Sequence, residues 1–138
     1  MPVARFAAAA ATAAVAVLAA SACSNTQASV NRRPHTGVTT AVLAGGLQVV
    51  TVDANDLYRF DPSTIYVHPG RVEIDLVNIG KGAPHDWSLL GFDATTPLTG
   101  TGQRSSVTFT APSPGTYTYV CTIHRKQGQT GTLVVLPD

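Results

Sequence analysis

Val72, Ile74 and Leu76 alternate with Arg71, Glu73 and Asp75, so an extended chain here has one apolar side and one charged side. That is the pattern of a half-buried antiparallel strand. Leu47 to Val52 opens a series of such runs, Thr64 to Val67 alternates in the same way, and Pro69-Gly70 turns the chain into Arg71 to Val77. Trp87 to Leu90, Val107 to Thr110, Thr116 to Cys121 and Thr132 to Leu136 continue it. From Leu47 onward no segment keeps a helical period over helical length. About eight short strands punctuated by Pro and Gly predict an all-β fold, a Greek-key β-sandwich or barrel of roughly 90 to 100 residues. Gly91 to Ser105 is the least patterned stretch and reads as a crossover loop with at most a helical turn.

Upstream of Leu47 the pattern is different. Arg5 followed by the apolar run Phe6 to Ala20, broken only by Thr12, reads as an export leader, because a bilayer span usually takes about 20 strongly apolar residues. Ala20-Ser21-Ala22 before Cys23 offers both a small-residue cleavage site and a lipobox-like sequence. The segment resembles a bacterial lipoprotein signal, although Ala20 stands where Leu is commoner. The expectation is removal of residues 1–22 and lipidation of Cys23, with plain secretion as the alternative. Residues 23–46 are rich in Ser, Thr, Asn, Gly and Ala without a sustained period, so they read as a tether to a domain over 47–138. His35 in that tether reads as solvated.

The chain of 138 residues has room for one domain, and its formal net charge of +1 comes without a basic cluster large enough for nucleic acid. The cysteine count matters more. In an exported protein a lone Cys121 should oxidise unless something holds it. A disulfide to Cys23 is one solution and metal ligation is the other.

Metal ligation has a sequence pattern behind it. Cys121, His124 and Gln129 fall in CTIHRKQGQTG, and His85 falls in GAPHDW. A thiolate, two imidazoles and a weak oxygen donor form the ligand set of a mononuclear copper site suited to electron transfer, since a trigonal arrangement with a distant fourth donor satisfies neither Cu(II) nor Cu(I) fully and little has to move when the electron does. Zinc also accepts one sulfur and two nitrogens, but structural zinc usually closes with a fourth strong ligand. Alternation through Thr116 to Cys121 places Tyr117, Tyr119 and Cys121 on one face, so the sulfur is expected at the rim of an aromatic core. Gly128 and Gly131 give the loop freedom to reverse, and Pro84 restricts the backbone leading into His85.

Taken in order, Phe60-Asp-Pro62, Ile65-Tyr-Val67, Pro69-Gly70, Val77-Asn78, His85, Ala111-Pro-Ser-Pro-Gly115 with Tyr117 and Tyr119, and Cys121-x2-His124-x4-Gln129 resemble the cupredoxins, the small blue copper proteins, over Leu47 to Asp138. The resemblance implies that His85 is the first imidazole, Cys121 the thiolate, His124 the second and more solvent-facing imidazole, and Gln129 the axial ligand of one type 1 copper ion. Gln127 is a competitor for the axial place, two residues out of register. Two positions depart from the plastocyanin-like pattern. Gln129 stands where Met is usual, as in stellacyanin-type members, and a harder oxygen donor favours Cu(II). Asp86 stands where Asn often ties the ligand loops, and an ionised carboxylate can only accept hydrogen bonds.

Copper enzymes in this superfamily need more than this sequence carries. A binuclear centre takes two cysteines in one loop, and oxidases and nitrite reductases carry histidines beside the cysteine, where this chain has Val120 and Thr122. The expectation is therefore a carrier and not an enzyme: a monomer, exported and lipid-anchored on the outer face of the bacterial cytoplasmic membrane, or else secreted, passing single electrons between envelope redox proteins. A copper carrier or buffer and a metal-free interaction module of the same fold are the alternatives. Lys81, Arg125 and Lys126 flank the ligand loops and suit an acidic partner, or are ordinary solvated charges. His68 reads as solvated, and Trp87 as a core aromatic.

Overall fold

The structure is a computed structural model, and it describes residues 37–138. Ten strands are present: β1 (Val38–Thr40), β2 (Val42–Ala44), β3 (Leu47–Asn55), β4 (Arg59–Asp61), β5 (Thr64–Val67), β6 (Arg71–Asn78), β7 (Ser88–Leu89), β8 (Arg104–Thr110), β9 (Gly115–Val120) and β10 (Thr130–Val135). They form a sandwich of two five-stranded sheets, one ordered β1-β5-β10-β9-β7 and the other β2-β3-β6-β8 with β4 also on β3. The all-β expectation holds. Binary alternation explains it: along β6 every second residue is buried, and Val72, Ile74 and Leu76 on that face are each 0 % exposed. Opposite them Ile65, Val67 and Leu133 close the core from the other sheet. Burying each such side chain contributes about 1.5–3 kcal/mol.

Three details differ from the sequence reading. The tether assigned to 23–46 gives way, from Val38, to two strands: β1 pairs in parallel with β5, and β2 pairs antiparallel with β3. Both lie at sheet edges with mostly exposed side chains, so no alternation marks them. The signal was Gly45-Gly46, both at positive φ between the paired Ala44 and Leu47, the glycine pair that a two-residue hairpin favours. Residues 1–36, with the leader and Cys23, lie outside the described residues. Secondly, β6 is antiparallel to β8 but parallel to β3, because alternation reports burial and carries no strand direction. Thirdly, Arg59–Asp61 is a strand that was not expected, and β8 begins at Arg104, within the Gly91–Ser105 stretch that is otherwise a loop without a helix, in keeping with its lack of pattern.

That stretch is nonetheless firmly held. Thr96 N–H donates to Trp87 O at 2.9 Å, Thr96 Oγ1 accepts from Trp87 N–H at 3.0 Å, and Leu89 N–H donates to Ala94 O at 2.9 Å. The crossover thus pins the segment carrying His85. On the facing strands Tyr119 is fully buried against Phe60 and Trp87, with ring centroids 5.3 and 5.2 Å apart, and its hydroxyl donates to Pro62 O at 2.8 Å. Gly131 makes room for it, since a Cβ there would sit 2.1 Å from the Tyr119 ring.

Candidate metal centre

Strand β9 ends at Val120, and Cys121 follows it into a loop that returns as β10. Cys121 N–H donates to Gln129 O at 3.0 Å, closing the loop at its neck. Inside it, His124 N–H donates to Cys121 O at 3.2 Å and Gln129 N–H to His124 O at 3.2 Å, around a single 3-10 turn at Arg125–Gln127. Gly128 ends that turn at φ 83°, a left-handed conformation that suits glycine. Cys121, His124 and Gln129 are therefore presented by one loop with its own hydrogen-bond scaffold.

His85 comes from another loop. Its backbone exchanges hydrogen bonds with Thr99, N–H to Thr99 O at 3.0 Å and O from Thr99 N–H at 2.7 Å. Asn78, fully buried at the end of β6, donates through Nδ2 to Ala83 O at 2.8 Å and Thr99 O at 3.0 Å, and accepts from Gly80 N–H at 2.9 Å. One amide thus braces both segments that fix His85.

These loops bring His85, Cys121 and His124 together, with their ligand atoms within 4.8 Å of one another. Cys121 Sγ is 3.4 Å from His124 Nδ1, and His85 Nδ1 is 2.9 Å from Gln129 Oε1. Donors that bind one ion at about 2.0–2.3 Å can take such separations. Cys121, His85 and Gln129 are 0 % exposed and His124 is 9 % exposed, so the cluster is dry with one edge at the surface. Gln127 lies in the 3-10 turn and is half-buried, whereas the Gln129 amide faces His85. Cys121 is a free thiol, and its facing atoms are those of His124 and Asp86.

Burial dominates the electrostatics. It pushes the Cys121 thiol up to about 11, with the charge of Asp86 adding to the rise and the Asp86 backbone N–H opposing it. Burial also lowers both imidazoles, while the Gln129 amide acts in the opposite direction on each. Neutral imidazoles and a thiol that yields its proton to a metal are what a soft-donor site requires.

Asp86, the residue whose acceptor-only chemistry put the loop tie in question, does tie the loops. Its Oδ1 accepts from Thr122 N–H at 2.6 Å and its Oδ2 from the Thr122 hydroxyl. Thr122 offers two donors, so a carboxylate fits where an amide is usual. Other residues of the site had no signal in the sequence. Tyr58 packs on His124 with centroids 4.7 Å apart, Arg59 O accepts from Gln129 Nε2 at 3.4 Å, and Asp56 accepts from Lys81 N–H and Gly82 N–H at 2.7 and 3.1 Å. His68 is exposed at the β5–β6 turn, and Trp87 lies in the core.

A β-sandwich with a buried thiol, two imidazoles and an amide oxygen at one end defines a mononuclear metal protein whose donors, once the thiol has yielded its proton, fit a single copper ion. The chain belongs to the cupredoxin-like domain family, whose model matches residues 9–135. Among known proteins it is similar to auracyanin-B of Chloroflexus aurantiacus, 48% identical over 46 residues, a match covering 32% of this chain and 20% of that protein. The auracyanin B structure is matched with a TM-score of 0.59 and 27% identity, over 75% of this chain and 100% of that one. The structure of auracyanin A, described as a "blue" copper protein from Chloroflexus aurantiacus, is similar in fold with a TM-score of 0.60 and 24% identity, over 65% of this chain and 99% of that one.

Proposed function

We propose that this protein is an exported type 1 copper protein that carries single electrons between redox partners of the cell envelope, held to the membrane by a lipid on Cys23. The observation that carries the reading is the convergence of Cys121 Sγ, His124 Nδ1, His85 Nδ1 and Gln129 Oε1 in one buried cluster. The similarity to auracyanins supports it.

Copper bound there supplies one-electron chemistry, alternating between Cu(II) and Cu(I). The residues do the rest. Cys121, His85 and Gln129 exclude water, which keeps the solvent contribution to reorganisation small. The Cys121–Gln129, His85–Thr99 and Asp86–Thr122 hydrogen bonds hold both loops, so the donors keep their places as the charge changes. His124 is the donor with an edge at the surface, and exposed Ile123 adjoins it in the same loop. Partners meet the protein at that end, where Lys81, Arg125 and Lys126 favour an acidic surface.

The test is the colour of the Cu(II) protein. Thiolate-to-copper charge transfer gives strong visible absorption, and Cys121→Ala is expected to abolish it. A colourless Cu(II) adduct of the parent rejects the electron-transfer reading. Metabolic labelling with a fatty acid, lost in Cys23→Ala, tests the anchor, and unlabelled protein rejects it.

A further inference from the structure

We propose that the tip of the β3–β4 hairpin is a third wall of the metal centre and that Tyr58 within it is a positioning residue for His124, an inference that rests on the metal reading above. The hairpin supplies no donor, yet it meets His124, Gln129 and the loop that leads to His85. Tyr58 lies against the His124 ring at 4.7 Å, while His85 packs against the same imidazole with centroids 4.9 Å apart. The imidazole is thereby flanked by two rings. One residue on, Arg59 O receives the Gln129 amide N–H, which leaves Oε1 directed at His85. Two residues back, the Asp56 carboxylate takes the N–H groups of Lys81 and Gly82, in the loop that leads to His85.

The backbone indicates that this placement is not incidental. Tyr58 has φ 56° and is the one non-glycine residue at positive φ among the described residues. A ring-bearing residue in the left-handed region is unfavourable, and such strain persists only where the surroundings enforce it, as they commonly do at functional sites. Here they are well defined. Tyr58 N–H donates to Asn55 O at 3.0 Å, Leu57 N–H to Asn55 Oδ1 at 3.0 Å, and Arg59 Nη1 to Tyr58 O at 2.8 Å. Glycine or asparagine would satisfy this turn with less strain. What tyrosine adds is a ring packed at a tilt against the imidazole. His124 sits on a short loop with its edge exposed and no side-chain hydrogen bond capping its turn, so a second ring packed against it limits its rotation and keeps Nδ1 toward Cys121.

Full-length Tyr58→Phe, Tyr58→Ala and Tyr58→Gly test this with and without metal. In the metal-free protein, NMR signals of the His124 ring are expected to carry a ring-current shift that survives in Tyr58→Phe and disappears in the other two. In the copper-loaded protein, Tyr58→Ala and Tyr58→Gly should change the charge-transfer spectrum and release copper to a chelator about tenfold faster or more, while Tyr58→Phe stays within about twofold of the parent by the same measure. Stability should follow another order. Glycine relieves the backbone and alanine does not, so the unfolding constant of Tyr58→Gly should be about fivefold below that of Tyr58→Ala, even though both lose the ring. Parent-like spectra and copper release in the glycine variant, or His124 shifts indifferent to the ring, overturn the proposal. A parent that gives no coloured copper adduct would overturn the proposed function instead, and the metal-free NMR would still decide whether Tyr58 holds His124.

Discussion

Asp86→Ala and Asp86→Asn should have different costs, because Thr122 offers the carboxylate two different kinds of donor. The backbone N–H of Thr122 must donate, and it lies 2.6 Å from Asp86 Oδ1. The Thr122 hydroxyl, on Oδ2, can also turn and accept. Asparagine can therefore keep both contacts, with its oxygen on the N–H and its NH2 on the hydroxyl, and lose only the charge assistance. Alanine loses both. Hydrogen bonds to charged groups contribute about 1.5–3 kcal/mol each, and relief of the burial of a carboxylate that is 6 % exposed offsets part of that. The net expectation is about 3 kcal/mol for alanine and about 1 kcal/mol for asparagine. For a domain of this size 1 kcal/mol moves Tm by about 4–8 °C. Thermal melts of the metal-free protein should thus fall by about 12–24 °C in Asp86→Ala and about 4–8 °C in Asp86→Asn, on the same scaling. The Asp86 backbone N–H on Cys121 survives in both, so both should bind Cu(II) with colour, the alanine variant more weakly. Equal melting of the two variants, or melting at the parent temperature, refutes the clamp.

Three further outcomes follow from the geometry. Gln129→Met replaces a hard oxygen with a soft thioether facing His85 and should raise the reduction potential in voltammetry; an unchanged or lower potential refutes an axial role for Gln129. Copper binding at pH 7 should release about one proton, measured by calorimetry in buffers of different ionisation enthalpy. The thiol at about 11 is protonated there and must yield its proton, whereas imidazoles lowered by burial are already neutral. Release of two protons, or none, contradicts these states. Gly131→Ala places a Cβ 2.1 Å from the Tyr119 ring, which overpacks the core and should cost about 1–3 kcal/mol in denaturant unfolding; a neutral effect refutes the packing role.

Much of the site was legible because its chemistry is local. Cys121, His124 and Gln129 belong to one short loop, and unusual residue types in a fixed order survive as a signal without any knowledge of contacts. The strands were legible for a related reason: burial on one face leaves a period-two trace in β3, β5, β6 and β10. The trace fails where that cause is absent. Edge strands β1 and β2 bury little and left no alternation, so they passed for tether. Strand direction left none either, and β6 joins one neighbour in parallel and another antiparallel.

From its sequence alone the protein is determined to be an all-β domain with a thiolate and imidazole donor set, since residue type and burial period act over a few neighbouring positions. Only the tertiary structure decided what holds those donors. Asp86 meets Thr122 across 36 residues and Gln129 meets Arg59 across 70, while Tyr58 reaches His124 from a separate hairpin. Such contacts depend on how two sheets stack and where their loops end, and a carboxylate, an amide or a tyrosine looks the same in sequence whether it faces water or a ligand.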